Sequence, residues 1–324
     1  MKKIIIALLM ITVTFSTTSC GTLEVEEHDV YVTVYPLKYI SESLLEDTDY
    51  TVDIVPGVTS HEHSAEWAPK QIIAMKNADF LFYIGANYDQ YIDKKLNVFE
   101  DANVNLIRLE NQTEYINYIP GVVDHHDHDE NNGIITSHSE DDETIGIDPH
   151  FWISPKRMLD VLDLFYDTFI HAYNNDERTI TANYQGIKAD LEALHIDYQE
   201  AISQMTKPVL TSTNLYGYLR EDYGFDFTSI SPGFHEEPDN MMPQNTEKIL
   251  MEINLHNVTE IVYEKKKTSP ASDYIYEEMI KLGIVPEKLY YDVLQALPDA
   301  EVNQGKNYVS EMQINLSIFI QAGN

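Results

Sequence analysis

The sequence predicts an α/β protein of two lobes, each a parallel-sheet α/β domain, joined by a long rigid helix with a cleft between the lobes. Three observations carry this expectation. Runs of β-branched and aromatic residues alternate with helical stripes in two separate stretches, residues 30–109 and 209–291. A helical pattern close to thirty residues long, 176–205, lies between those stretches. The chain of 324 residues is also longer than one hydrophobic core usually organises.

Residues 1–19 carry an address. Lys2 and Lys3 precede an apolar run over 4–15 and small residues over 16–19, the layout of a secretory signal peptide and too short for a spanning helix. Cys20 follows as the only cysteine, which excludes an intramolecular disulfide and a cysteine-based zinc site. A cysteine directly after such a leader marks a lipidation signal, although Thr17 departs from the leucine usual three places earlier; the alternative is an incidental cysteine beside an ordinary cleavage site. Residues 20–29 are therefore expected to be a lipidated leash that holds the mature protein outside the cytoplasm, on the cell membrane.

The amino-terminal lobe, 30–153, opens with a strand over 30–35, and Pro36 starts a helix carrying Leu37, Ile40, Leu44 and Leu45. A second strand over 51–55 stops at Pro56-Gly57, a helix covers 68–77, and strands follow over 80–84 and 106–109. Such alternation means a parallel sheet covered on both faces. Residues 154–206 hold two consecutive helices. Ser154 caps the first and Pro155 takes its first position, with Met158, Leu162, Phe165 and Phe169 as the buried stripe. The second, 176–205, buries Ile187, Leu191, Leu194, Tyr198 and Met205, and at 1.5 Å per residue spans roughly 45 Å, enough to link two lobes. His171 and His195 lie on these helices without a second ligand at i+3 or i+4, so both read as surface residues. In the carboxyl-terminal lobe, 207–324, strands are expected over 209–211, 227–230, 261–263 and 289–291, and helices over 215–223, 245–255 and 271–282. No sequence repeat relates the two halves, although their patterns are alike.

A formal net charge of −33 excludes nucleic-acid backbone and anionic membrane surface as partners and favours cations. Five of the twelve histidines fall between Asp124 and Trp152, where no Lys or Arg interrupts the chain from Arg108 to Lys156. His125, His126, His128 and His138 lie in the acidic loop 124–147, which reads as a solvated segment that orders in part when metal arrives. The other candidates sit at the carboxyl ends of expected strands, where open α/β sheets bind ligands: His61 and His63, Thr213 and Asn214, His235, Glu264 and Asp292, with His150 closing the histidine-rich stretch. Two such ends facing each other across a cleft could enclose one metal ion.

Several stretches resemble the solute-binding lipoproteins of metal-importing ABC transporters, the zinc and manganese binders of the ZnuA, AdcA and TroA kind, over nearly all of the mature length. They are Tyr35-Pro36-Leu37, Asn77-Ala78-Asp79 with Gly85, and above all Asp148-Pro149-His150-Phe151-Trp152 followed by Ser154-Pro155. A histidine-rich acidic loop ahead of that last motif is typical of the zinc branch. The resemblance implies two α/β lobes with metal bound in the cleft between them, Zn2+ as the transported ligand with Mn2+ as the alternative, a membrane permease as partner, and a monomer.

The family's ligands carry over singly. The first histidine, three residues before a glutamate, matches His63 with Glu66 and then aligns Lys70 and Ile72; His61, four residues after Gly57, is the alternative. The second is His150 and the last aspartate is Asp292. The third departs: relatives read Thr-Ser-His-Asp, whereas this chain reads Thr211-Ser212-Thr213-Asn214. The loop Ser231-Pro232-Gly233-Phe234-His235-Glu236-Glu237-Pro238 contains an extra histidine, so His235 is expected to replace the missing ligand, with an exposed loop histidine as the other reading. Three imidazoles and one carboxylate make a closed four-coordinate shell suited to capture. Glu264 reads as a carboxylate behind the ligands or as a salt-bridge partner.

Two other classes were weighed. A zinc hydrolase would need a water-activating carboxylate, and His61-Glu62-His63 and His235-Glu236 do not extend to His-Glu-x-x-His. A metal-binding surface adhesion lipoprotein would not require ligands to converge from both lobes. An enzyme is not expected.

Overall fold

In the computed structural model, residues 26–58, 65–122, 145–234 and 243–324 are described. The amino-terminal sheet consists of β1 (Val30–Val32), β2 (Val52–Ile54), β3 (Phe80–Tyr83) and β4 (Asn105–Arg108), all parallel, in the order β2-β1-β3-β4. Between them run α1 (Tyr35–Leu44), α2 (Pro69–Asn77) and the short α3 (Gln90–Asp93). A two-stranded antiparallel ribbon, β5 (Pro120–Val122) with β6 (Ile145–Ile147), closes the base of the histidine-rich loop.

Then come α4 (Pro155–Ala172) and the 27-residue α5 (Glu177–Ser203). The carboxyl-terminal sheet contains β7 (Val209–Thr211), β8 (Phe227–Ser229), β9 (Glu260–Glu264) and β10 (Glu287–Tyr291), again parallel, in the order β10-β9-β7-β8. Its helices are α6 (Gly217–Tyr223), α7 (Pro243–His256), α8 (Pro270–Lys281), α9 (Asp299–Val302) and α10 (Tyr308–Gly323).

The period-two alternation of the strands explains the layering. Val30, Val32, Phe80 and Phe82 point from one sheet into a core shared with Phe165 and Phe169 of α4, Leu194 and Tyr198 of α5, Phe319 of α10, and Val209 and Tyr291 of the other sheet. The opposite faces carry separate clusters: Tyr31, Leu81 and Tyr83 in one lobe, Leu210, Ile261 and Tyr263 in the other. Helix α5 is the spine. Its Asn183 amide donates to Leu44 O at the end of α1 (3.1 Å), and its Tyr198 hydroxyl donates to Met312 O in α10 (2.9 Å).

Three local expectations are corrected. Residues 33–35 leave the strand early, because α1 already begins at Tyr35. Ser154 occupies the N-cap position of α4 but does not cap it: its hydroxyl donates to Asp222 Oδ2 at 2.7 Å, joining Arg157 and Lys156 on that buried carboxylate. His195 is half-buried instead of a surface residue, with Nδ1 2.9 Å from the Tyr223 hydroxyl, and burial lowers its pKa; His171 is exposed as expected. Helix α10, capped by Asn307 on the Ser310 N–H, and the β5–β6 ribbon were not anticipated.

Candidate metal centre

His150 is the best-defined member of the candidate set. It is 2% exposed and follows Asp148-Pro149 into a single 3-10 turn over Phe151–Ile153. The Asp148 carboxylate, 1% exposed, folds back as an Asx turn: Oδ1 accepts the backbone N–H of His150 at 2.9 Å and lies 2.9 Å from ring Nδ1. A carboxylate oxygen in its ionised form only accepts, so Nδ1 carries the proton and the Nε2 lone pair is left for a ligand. This is how second partners fix metal-binding imidazoles.

Asp148 is itself held tightly. Its N–H donates to Ile119 O (3.0 Å), and its carbonyl accepts the Tyr218 hydroxyl of α6 (2.8 Å). Two glycines make room: a Cβ on Gly121 would meet the Asp148 backbone N at 2.7 Å, and one on Gly217 would meet its Oδ2 at 2.8 Å. The His150 ring is walled by Tyr88, Trp152 and Phe234, with ring centroids at 6.1, 5.3 and 4.8 Å. Tyr88 is half-buried, and desolvation of its hydroxyl, together with the charges of Asp89 and Glu264, raises its pKa well above the ordinary value. Glu264 is 5% exposed at the end of β9, and the Lys267 ammonium stands 3.8 Å away from it.

Asp292 directly follows β10. Asn315 of α10 grips its backbone from both sides, accepting the Asp292 N–H (3.0 Å) and donating to the Asp292 carbonyl (2.7 Å). Its Oδ1 accepts the Leu294 N–H at 3.0 Å, whereas among the described residues Oδ2 is buried without an aligned hydrogen bond, with the Lys265 ammonium 3.0 Å away as a charge contact. The Asp292 and His150 segments are stitched together, because Trp152 Nε1 donates to Val293 O at 2.9 Å.

Thr213 stands where the resemblance expects histidine. It is 4% exposed, and neither its Oγ1 nor Ser212 Oγ has a hydrogen-bond partner among the described residues. Its loop is zipped to the one after β8: Ser231 N–H donates to Ser212 O, Asn214 N–H to Gly233 O (both 2.9 Å), and the Asn214 amide to Pro232 O (3.0 Å). That zipper brings Phe234 onto His150.

Of the expected ligands, His150 and Asp292 are therefore placed in adjoining, buried segments. His61, His63, His235, His125, His126, His128, His138 and Cys20 lie outside the described residues. Among the described residues, no three His, Cys, Asp or Glu side chains converge closely enough to hold a metal. Reading the sequence missed the roles of Asp148, Tyr88, Asn315 and Lys265. Only Asp148 carried a signal, since an aspartate two residues before a backbone N–H is the Asx-turn spacing.

The family model for the periplasmic zinc-uptake complex component A, ZnuA, matches residues 30–322. The zinc-binding lipoprotein AdcA of Streptococcus pneumoniae serotype 4 is 24% identical over 295 residues, 90% of this chain and 55% of the relative. The zinc-binding protein AdcA of Streptococcus pyogenes serotype M3 is 24% identical over 323 residues, 97% of this chain and 60% of the relative. The chain thus spans less than two thirds of the length of these relatives. In fold it is similar to the Zn(II)-bound ZnuA-like domain of Streptococcus pneumoniae AdcA, with a TM-score of 0.68, 22% identity, and 92% of this chain against 99% of that one. It is similar also to the zinc-binding protein TroA of Treponema pallidum, with a TM-score of 0.67 and 16% identity over 92% of this chain and 99% of that one.

Proposed function

The chain belongs to the family of periplasmic zinc-uptake components A, and from that premise we propose that it captures Zn2+ outside the cytoplasm, between its two lobes, and delivers it to the permease of a metal-importing ABC transporter. The observation that carries the reading is His150: buried, oriented by Asp148 with Nε2 left as acceptor, and set beside the Asp292 segment of the opposite lobe. The proposed shell is His63, His150, His235 and Asp292, with His61 as the alternative to His63.

Topology supports the two histidines beyond the described residues. Read from its own first strand, each sheet has the order second-first-third-fourth, and His63 and His235 both fall in the loop after the second strand, β2 in one lobe and β8 in the other. Phe234, the residue before His235, already touches the His150 ring. Ligands from both lobes make lobe closure and capture a single event. The histidine-rich loop gathers zinc near the cleft, Glu264 adds negative charge behind the shell, and lipidated Cys20 tethers the protein. Residues 1–19 are a leader, 30–153 and 207–324 the lobes, and 154–206 the connection.

Competitive zinc and manganese titration tests this, with wild type compared against His150→Ala, His235→Ala and a deletion of 125–146. The expected result is zinc preference, a loss on the order of a thousandfold for His150→Ala, since a four-ligand zinc site is worth roughly 10–16 kcal/mol, and a clear weakening for His235→Ala. Binding that survives His150→Ala but vanishes with the loop would place the site outside the cleft. If His235→Ala binds as wild type does, His235 is not the substituted ligand.

A further inference from the structure

We propose that Lys265 is an internal cation competing with the metal: its ammonium holds Asp292 while the cleft is empty and must leave for cargo to bind. The proposal rests on Asp292 being a metal ligand. Three lysines follow β9 in a chain with 54 acidic and 21 basic residues, and each goes to a different carboxylate. Lys266 stands 3.5 Å from Glu301 and Lys267 stands 3.8 Å from Glu264, while Lys265 Nζ lies 3.0 Å from Asp292 Oδ2.

Geometry leaves Asp292 few choices. Its backbone is clamped twice by Asn315 and its Oδ1 already accepts the Leu294 N–H, so among the described residues the oxygen with no hydrogen bond is the one beside Lys265. Lys265 is fixed at its base, since its N–H donates to Tyr291 O at 2.8 Å, next to Asp292. Its side chain, 34% exposed, has somewhere to go: Glu311 Oε2, on a side chain 3% exposed, lies 3.8 Å from the same ammonium. Glu311 also has Lys306 at 3.6 Å, so it is not left alone in either position.

An ammonium and a divalent cation on one carboxylate oxygen weaken each other's hold, because like charges within about 4 Å strongly disfavour each other. Metal capture therefore includes moving Lys265 from Asp292 toward Glu311. Apparent affinity is reduced by the fraction of time Asp292 is occupied by lysine. A carrier gains from that arrangement, because the returning ammonium helps expel cargo once the cleft opens. The plainer reading is an ion pair that merely fastens the turn after β9 to the segment after β10.

Zinc titration of the full chain carrying Lys265→Met or Lys265→Arg separates the two, together with acylation of lysine amines read by mass spectrometry in the zinc-free and zinc-loaded protein. A competitor predicts about tenfold tighter zinc for Lys265→Met, no tightening for Lys265→Arg, and a change in Lys265 labelling with zinc, scaled to the exposed Lys281. A fastening ion pair predicts a lower melting temperature for Lys265→Met with unchanged or weaker zinc binding and unchanged labelling, which would overturn the proposal. Should Lys265→Met fail to fold, the labelling of wild type decides. Zinc binding indifferent to both His150→Ala and Asp292→Ala would remove the cleft site itself; binding sensitive to both, with Lys265 unresponsive, removes only the competitor.

Discussion

The two lobes share a strand order and present the carboxyl ends of their strands to one cleft, but the walls they build there differ in kind. On the amino-terminal side, His150 is oriented by a buried carboxylate, packed by Tyr88 and Trp152, and attached through Asp148 and Trp152 to Tyr218 and Val293 of the other lobe. On the carboxyl-terminal side, Asp292 has a clamped backbone but a carboxylate shared with Lys265, and Thr213 leaves a buried hydroxyl unpartnered where the resemblance expects an imidazole. One wall is preorganised and the other is adjustable. In the carrier proposed above, which must both seize and surrender an ion, the fixed wall would set geometry and the adjustable wall affinity.

The largest test of this contrast concerns how the fixed wall is supported. Asp89, 0% exposed, accepts the N–H groups of Ile84 and Gly85 and so holds the turn that carries Tyr88. Burial nevertheless raises its pKa from 3.8 to about 7. Because the folded value lies above the unfolded one, the folded chain keeps a proton that the unfolded chain releases. Stability is therefore fully present below about 4 and is lost as pH rises toward 7, by roughly 2–4 kcal/mol. Melting temperatures between pH 4 and 7 should decline more steeply in wild type than in Asp89→Asn, and parallel curves would mean the turn does not depend on this carboxyl.

Next in size is the orientation of His150. Asp148→Asn keeps an acceptor for Nδ1 but removes the charge, and is expected to weaken zinc about 10–100-fold, as loss of such partners generally does. The readout is a zinc titration beside a melting curve. A normal affinity in Asp148→Asn would reduce the fixed wall to packing alone.

The smallest effect belongs to the adjustable wall. Thr213→His restores the residue type expected there, beside the loop that brings Phe234 to His150. Zinc should bind about tenfold more tightly if an imidazole there joins the shell, each factor of ten being about 1.4 kcal/mol. Unchanged zinc binding in a folded Thr213→His protein would mean that this position no longer faces the metal.

Much of this was legible in the chain. Strand and helix order follow from contacts two to four residues apart, so Val209–Thr211 is recovered as a strand to the residue and α5 to within two. His150 and Asp292 stand out in the sequence because each lies at a strand end or inside a motif. The end of the chain was harder: α10 is apolar over much of its length, and its polar residues Glu311 and Asn315 are buried, so no clean amphipathic stripe marks it. Ser154 reads as a cap from its position, yet Asp222, 68 residues away, takes its hydroxyl.

The sequence by itself determined the two alternating halves with their spine, and the kinds of side chain available to a cation. Tertiary structure decided how those side chains are used: that Asp148 turns His150 so that Nε2 is free, that Lys265 sits on the one available oxygen of Asp292, and that Trp152 and Val293, 141 residues apart, hold the two walls together. The physical reason is range. Backbone periodicity is written in neighbours, whereas the protonation, orientation and charge balance of a site arise from groups that only folding makes adjacent.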